Sequence, residues 1–194
     1  MNDAALSGTP CLPVVIVLAS GRGERFRAAR GTRSNLPALL GGRPVLEHTL
    51  AAVRASGLRW RLEDAGHPGM GASSAGAVRA TADAPGWLIL RGDLPLVQPA
   101  TLQAVAHALC GAVQAAQPSH RGERGHPVGF AAACGPALAA LAGAQGAARV
   151  LRALRDAQSV ADINVDDIGI LTDIDTPDAL MRAEALIAGR LSAS

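Results

Sequence analysis

The chain has 194 residues, of which 49% are hydrophobic and only 2% aromatic, and its net charge is +2. That length fits one domain with a core of its own, filled mainly by Ala, Leu and Val. Near-neutral charge and scarce aromatics argue against a nucleic-acid partner, and no run approaches the ~18 apolar residues of a membrane span.

Residues 1–12 read as a flexible N-terminal leader and 13–190 as a single domain. Val14–Ala19 is a continuous apolar, β-branched run, the pattern of a strand buried on both faces. Gly41–Gly42 marks a turn, and Pro44 then opens a helix that ends at Gly57. Leu58–Glu63 alternates and predicts a more exposed strand. Asp64–Gly71 is a loop and Ala72–Ala82 an Ala-rich helix. Trp87–Leu90 predicts a second buried strand, followed at once by Arg91–Pro95, RGDLP. Pro99 opens a further helix. Ala112–Ala116 and Val128–Ala132 predict short strands on either side of a polar loop, Ser119–His126. Ala137–Leu141 and Ala147–Ala157 read as helices, Val160–Val165 and Ile170–Ile174 as strands, and Pro177–Ala188 as the closing helix. This alternation predicts an α/β protein: a three-layer α/β/α sandwich, Rossmann-like, with a mostly parallel sheet.

All 18 basic residues are arginines. Arginine stays charged and presents a planar fork of donors that suits phosphate. Cys11, Cys110 and Cys134 are isolated and form no CxxC pair, so they read as small hydrophobes rather than zinc ligands or a disulfide framework. The first residues lack a basic region and an apolar signal core, so a cytoplasmic protein is expected.

Ligands of such sheets bind beyond the carboxyl ends of the strands, and two loops follow buried strands directly. In Ala19–Arg25, ASGRGER, the glycines let the backbone approach an anion, with successive N–H groups forming a nest. Arg22 and Arg25 can neutralise phosphate. Neither the dinucleotide fingerprint nor the P-loop pattern is met, and a plain Gly-rich turn explains the spacing equally well. In RGDLP, Asp93 stands just past a strand, where it can hold a magnesium ion that keeps its other positions for water and phosphate. Turn capping is the alternative.

In order along the chain, LASGRGERF, GRPVLEHTLAAVRASGL, GMGASSAGAVRA, WLILRGDLPLVQPATLQAV, RGERGHPVGF and DIDTPDAL resemble the MobA-like nucleotidyltransferases over residues 14–185. Within that family the motifs are most similar to those of the molybdenum cofactor cytidylyltransferases. The resemblance implies a nucleotidyltransferase fold and a magnesium-dependent reaction in which the phosphate of molybdopterin attacks the α-phosphate of a nucleoside triphosphate. CTP is favoured over GTP, because LASG is nearer to LAAG than to LAGG. It implies that Ala19, Ser20, Gly21, Arg22 and Gly23 bind the nucleotide and that Arg25 meets the triphosphate as a catalytic residue. Asp93 would hold the metal, with Asp175 as a second acidic group. Gly71 and Ser73 would lie near base and sugar, and Arg124 and His126, with Arg121, near the molybdopterin-type acceptor. A molybdoenzyme or its chaperone is the implied protein partner. Ser73 can equally be a helix cap or first-turn residue, His126 a structural donor, and Asp175 a cap for the helix opened by Pro177.

One departure bears on catalysis. The family pattern places a lysine where this chain has Asn35, and an amide brings no charge to the phosphates. Arg33 is the first candidate to replace it, with Arg22 and Arg30 as others. Losing one such donor typically costs about 3 kcal/mol in the transition state. The segment between Leu58 and Gly69 is also short, with room for one strand and a loop. Two alternatives to an active molybdopterin cytidylyltransferase therefore stand: a catalytically impaired nucleotide- or cofactor-binding accessory protein, and a transferase acting on a different phosphorylated acceptor.

Overall fold

The computed structural model describes residues 12–19, 35–66, 69–143 and 146–192. The expected leader before Leu12 lies outside them, as does the Gly-rich loop from Ser20 to Ser34. In chain order the elements are β1 (Val14–Leu18), β2 (Leu39–Leu40), β3 (Arg43–Pro44), α1 (Val45–Ala55), β4 (Trp60–Glu63), α2 (Met70–Arg79), β5 (Gly86–Arg91), α3 (Pro99–Ala108), β6 (Ala115–His120), β7 (Glu123–Arg124), β8 (Val128–Ala131), α4 (Gly135–Ala139), α5 (Ala148–Asp156), β9 (Val160–Asn164) and α6 (Pro177–Ser192). Short 3-10 turns occupy Ala132–Cys134 and Ile168–Ile170.

Seven strands form one sheet in the order β4-β1-β5-β8-β6-β7, with β9 paired to β6. β1 is parallel to β4 and β5, and β6 is parallel to β9. β8 runs antiparallel to both β5 and β6. Five strands therefore point one way, and only β7 and β8 oppose them. This is the mostly parallel α/β sheet expected.

The period of two along each strand divides the core between two faces. Val15 and Val17 of β1, with Leu88 and Leu90 of β5, pack against Leu50 and Val53 of α1 and Leu102 and Val105 of α3. Val14, Ile16 and Leu18, with Trp87 and Ile89, pack the opposite way against Ala77 and Val78 of α2 and Leu138 of α4. Both faces are apolar because both are covered, which is why these strands read as unbroken hydrophobic runs. A third cluster docks α6 on β2 and α1 through Leu40, Val45, Ile174 and Ala183.

Four expectations change. Ile170–Ile174 is not a strand: Ile170 ends a 3-10 turn and Ile174 is a separate buried anchor. The strand expected at Ala112–Ala116 lies at Ala115–His120 and runs into the supposed polar loop. That loop is instead a hairpin, with Ser119 opposite Arg124 and His120 opposite Glu123. Its two turn residues, Arg121 and Gly122, have φ of 51° and 87°, the positive pair that a type I′ turn requires. Pro44 precedes α1 with ψ 140°, outside the helix rather than in its first turn. Between α1 and α2 the described residues form one strand, β4, and loop, as the short segment predicts. No helix among the described residues is long and apolar enough to cross a membrane.

Candidate nucleotide and metal site

The carboxyl ends of β1, β4 and β5 lie side by side. Leu18 is opposite both Glu63 and Arg91, and the Ala19 amide donates to the Glu63 carbonyl at 2.9 Å. The RGDLP turn is held from two sides: the Gly92 amide donates to the Leu18 carbonyl at 2.9 Å, and the Thr49 hydroxyl of α1 donates to the Gly92 carbonyl at 2.9 Å. The turn that carries Asp93 is thus fixed independently of the Asp93 side chain.

Two further side chains bond to it. The Arg91 Nη2 donates to Asp93 Oδ2 at 2.7 Å, and its Nη1 lies 3.0 Å from Asp173 Oδ2. The Asn35 amide donates to the same Asp93 Oδ2 at 3.4 Å and also to the Ile174 carbonyl. The segment carrying Asp173 is in turn stitched down where the Ile174 amide donates to the Asp93 carbonyl at 2.9 Å. His126 completes the group. It lies just before β8, its amide donates to the Ile170 carbonyl at 3.1 Å, and its ring is close enough to feel the charges of Arg91, Asp93 and Asp173.

Burial works against the charge on Arg91, but Asp93 and Asp173 outweigh it and hold the guanidinium pKa above its ordinary value. Burial, followed by the Arg91 charge, pushes the His126 pKa down, against smaller opposing effects of the Ile89 backbone and the two carboxylates. The ring is therefore neutral at neutral pH.

Two polar atoms of this group stand out. Asp93 Oδ1 and His126 Nδ1 are buried and have no hydrogen-bond partner among the described residues. A buried carboxylate oxygen without a donor is costly unless a ligand completes it. Asp93 Oδ1 thus fits a hard divalent cation. Among the described residues no group of three or more His, Cys, Asp or Glu side chains is arranged to hold a metal.

The other expected residues are placed as follows. Ser20, Gly21, Arg22, Gly23, Arg25 and Arg33 lie outside the described residues, and Ala19 leads directly into that segment. Gly71 and Ser73 sit in the first turns of α2, which begins at Met70, earlier than expected. Gly71 is a close-approach position: a Cβ there would lie 2.7 Å from the Ala142 carbonyl oxygen. Ser73 is fully buried, and the helix is preceded by Gly69, so Ser73 is a first-turn residue and not the cap. Arg124 lies on β7 and grips Asp162 of β9 with two bonds of 3.1 and 2.9 Å, so its guanidinium is bound to that carboxylate and to no member of the Asp93 group. The Thr176 hydroxyl accepts from the Ala179 amide of α6 at 3.2 Å. Asp175 lines a groove of about 260 Å³ with Asp173, Thr172 and Arg182.

Sequence reasoning gave Arg91 no role. Its signal was available: a charged residue completes an otherwise apolar strand, WLIL, immediately before the motif. Asn35 was singled out, but it meets Asp93 across 58 residues of chain, which no local spacing encodes.

Residues 51–159 match a family model described as MobA-like NTP transferase domain. No curated protein matches the chain. Among solved structures, a nucleotidyl transferase from Methanothermobacter thermautotroptrophicus aligns at TM-score 0.76 and 22% identity, covering 92% of this chain and 99% of that one. Rv0371c of Mycobacterium tuberculosis H37Rv, in a complex with manganese, aligns at TM-score 0.65 and 20% identity, covering 90% and 98%. Molybdopterin-guanine dinucleotide biosynthesis protein A from Archaeoglobus fulgidus aligns at TM-score 0.60 and 18% identity, covering 91% and 99%.

Proposed function

Because the chain belongs to the MobA-like NTP transferase domain family, we propose that it transfers CMP from CTP to the phosphate of a molybdopterin-type acceptor, with magnesium. Family membership makes it a nucleotidyltransferase; the base, the acceptor and the metal are the proposed part. A phosphate oxygen of the acceptor attacks the α-phosphorus. The new P–O bond forms as the bond to the bridging oxygen of the β-phosphate breaks, and pyrophosphate leaves with that electron pair. No net proton transfer is needed, so the protein's task is positioning and charge neutralisation.

The observation that carries this reading is the orphaned Asp93 Oδ1 at the carboxyl end of a buried strand. Asp93 would hold the metal, with Asp175 as a second carboxylate, and the metal would neutralise charge on the triphosphate and the leaving pyrophosphate. That a mycobacterial neighbour of this fold forms a complex with manganese supports a divalent ion in the reading. The loop beginning at Ala19 would receive the triphosphate, with Arg25 and the glycines around it. His126, neutral and with Nδ1 unpartnered, would accept a hydrogen bond from the acceptor.

Calorimetric titration with CTP, GTP and ATP, each with and without magnesium, tests the proposal. Micromolar binding of CTP alone, dependent on magnesium and lost in Asp93→Ala, is expected. Absence of binding by all three nucleotides would sink it.

An accessory, non-catalytic reading draws on one observation: the Asn35 amide is already engaged by Asp93 and Ile174, so it is not free to meet phosphate. Product formation from CTP and molybdopterin, followed as pyrophosphate release, separates the two readings.

A further inference from the structure

Taking the nucleotidyl-transfer reading as its basis, we infer that Arg91 is the residue that meets the nucleotide's phosphates beside the metal, while Asn35 positions Asp93 and makes no phosphate contact. The two oxygens of Asp93 are divided between different duties. Oδ1 is buried and unpartnered, whereas Oδ2 takes the Arg91 guanidinium at 2.7 Å and the Asn35 amide at 3.4 Å. A phosphate drawn to a cation on Oδ1 therefore arrives one carboxylate's width from the guanidinium.

Asn35 is a poor candidate for that contact. It is 5% exposed, and its amide nitrogen donates to Asp93 and to the Ile174 carbonyl. Arg91 is a good one. Its side chain is 30% exposed, and a guanidinium carries five N–H donors in a fixed fork. One terminal nitrogen faces Asp93 and the other Asp173, which leaves the fork oriented with further donors for an incoming anion. Bidentate arginine–phosphate contacts are among the strongest charge-assisted hydrogen bonds. Asp173 has a place in this account as well: it aims the guanidinium from the side opposite Asp93, so that the charge stays at the metal position before substrate arrives.

The test uses the full chain and two probes, magnesium pyrophosphate and magnesium CTP, read by calorimetry, with thermal melting as the control for folding. Arg91→Leu should bind both probes about tenfold more weakly or worse, Arg91→Lys should recover part of the loss, and the double variant Asn35→Lys/Arg91→Leu should recover more, because its ammonium would stand at the same carboxylate oxygen. If Arg91→Leu does not fold, Arg91→Gln serves as the neutral variant. Equal or tighter binding by the neutral variant would overturn the inference, tighter binding meaning that Arg91 competes with the metal for Asp93. Either result would leave the nucleotidyl-transfer reading standing if the wild type binds magnesium CTP. A wild type that binds neither probe would overturn that reading, and this inference with it.

Discussion

Asn35 shows how a neutral side chain can organise a charged site. With one amide it ties the RGDLP turn to the segment of Asp173, two stretches far apart in sequence. A second arrangement of charges, away from the site, gives a prediction of its own. Asp162 of β9 is held by Arg124 of β7 and by Arg155 of α5, whose Nη1 lies 3.0 Å away. Hydrogen bonds from Arg124 and then Arg155 lower its pKa to about 2, against a small opposing effect of burial. The folded-state pKa lies below the unfolded value of 3.8, so protonation favours the unfolded chain. The stabilisation is complete above pH 3.8 and is lost as pH falls towards 2. Asp162→Asn should therefore melt below the wild type at pH 6, with the gap closing through that acid window. A gap that stays constant from pH 6 to the acid limit would show that the two arginines do not act through the carboxylate charge.

At the scale of elements, α3 begins with Pro99 at its first position and with no side-chain cap of its own. A residue from far along the chain supplies one. Asp167, 2% exposed, accepts from the Gln98 amide at 2.9 Å, the Thr101 hydroxyl at 2.7 Å and the Gly169 amide at 2.9 Å. Removing it leaves buried donors without partners, and Asp167→Ala should lower stability in urea denaturation by about 3 kcal/mol. Asp167→Asn, which keeps an acceptor, should lose less. This cap also marks how far sequence reading reaches. β1 and β5 were legible because a strand covered on both faces must be apolar throughout, and α3 because Pro at the first helical position is a local signal. β6 was misplaced because Ala115–His120 ends in polar residues and contains Pro118, and its pairing with β8 and β9 comes from elsewhere in the chain. The Arg-Gly pair at its tip was the available clue to the hairpin, since Gly accepts the positive φ there. The apolar Ile170–Ile174 segment reads as a strand, but Ile170 and Ile174 dock against separate parts of the core. The sequence singles out Asp93 and His126 one at a time. That Arg91, Asn35 and Asp173 gather around Asp93 is a tertiary fact, and no periodicity carries it.

For the whole molecule, what matters is that β8 joins two sets of strands that otherwise never touch within the sheet. On one side lie β4, β1 and β5, and on the other β6, β7 and β9. If the sheet opens as one unit, the Val128–Ala131 amides should exchange with deuterium only on global unfolding, later than Trp60 and Arg61 on the exposed edge strand β4. Early exchange at β8 with β1 still protected would mean that the two sides open separately. The position of β8 also sets how a ligand reports its presence. Asp93 follows β5, Asp173 belongs to the segment after β9 that returns to bond the Asp93 carbonyl through Ile174, and His126 lies two residues before β8. A molecule bound among these residues acts as a clasp across the join, so occupancy should be readable as slower deuterium uptake along β8, a strand whose backbone the ligand never needs to touch.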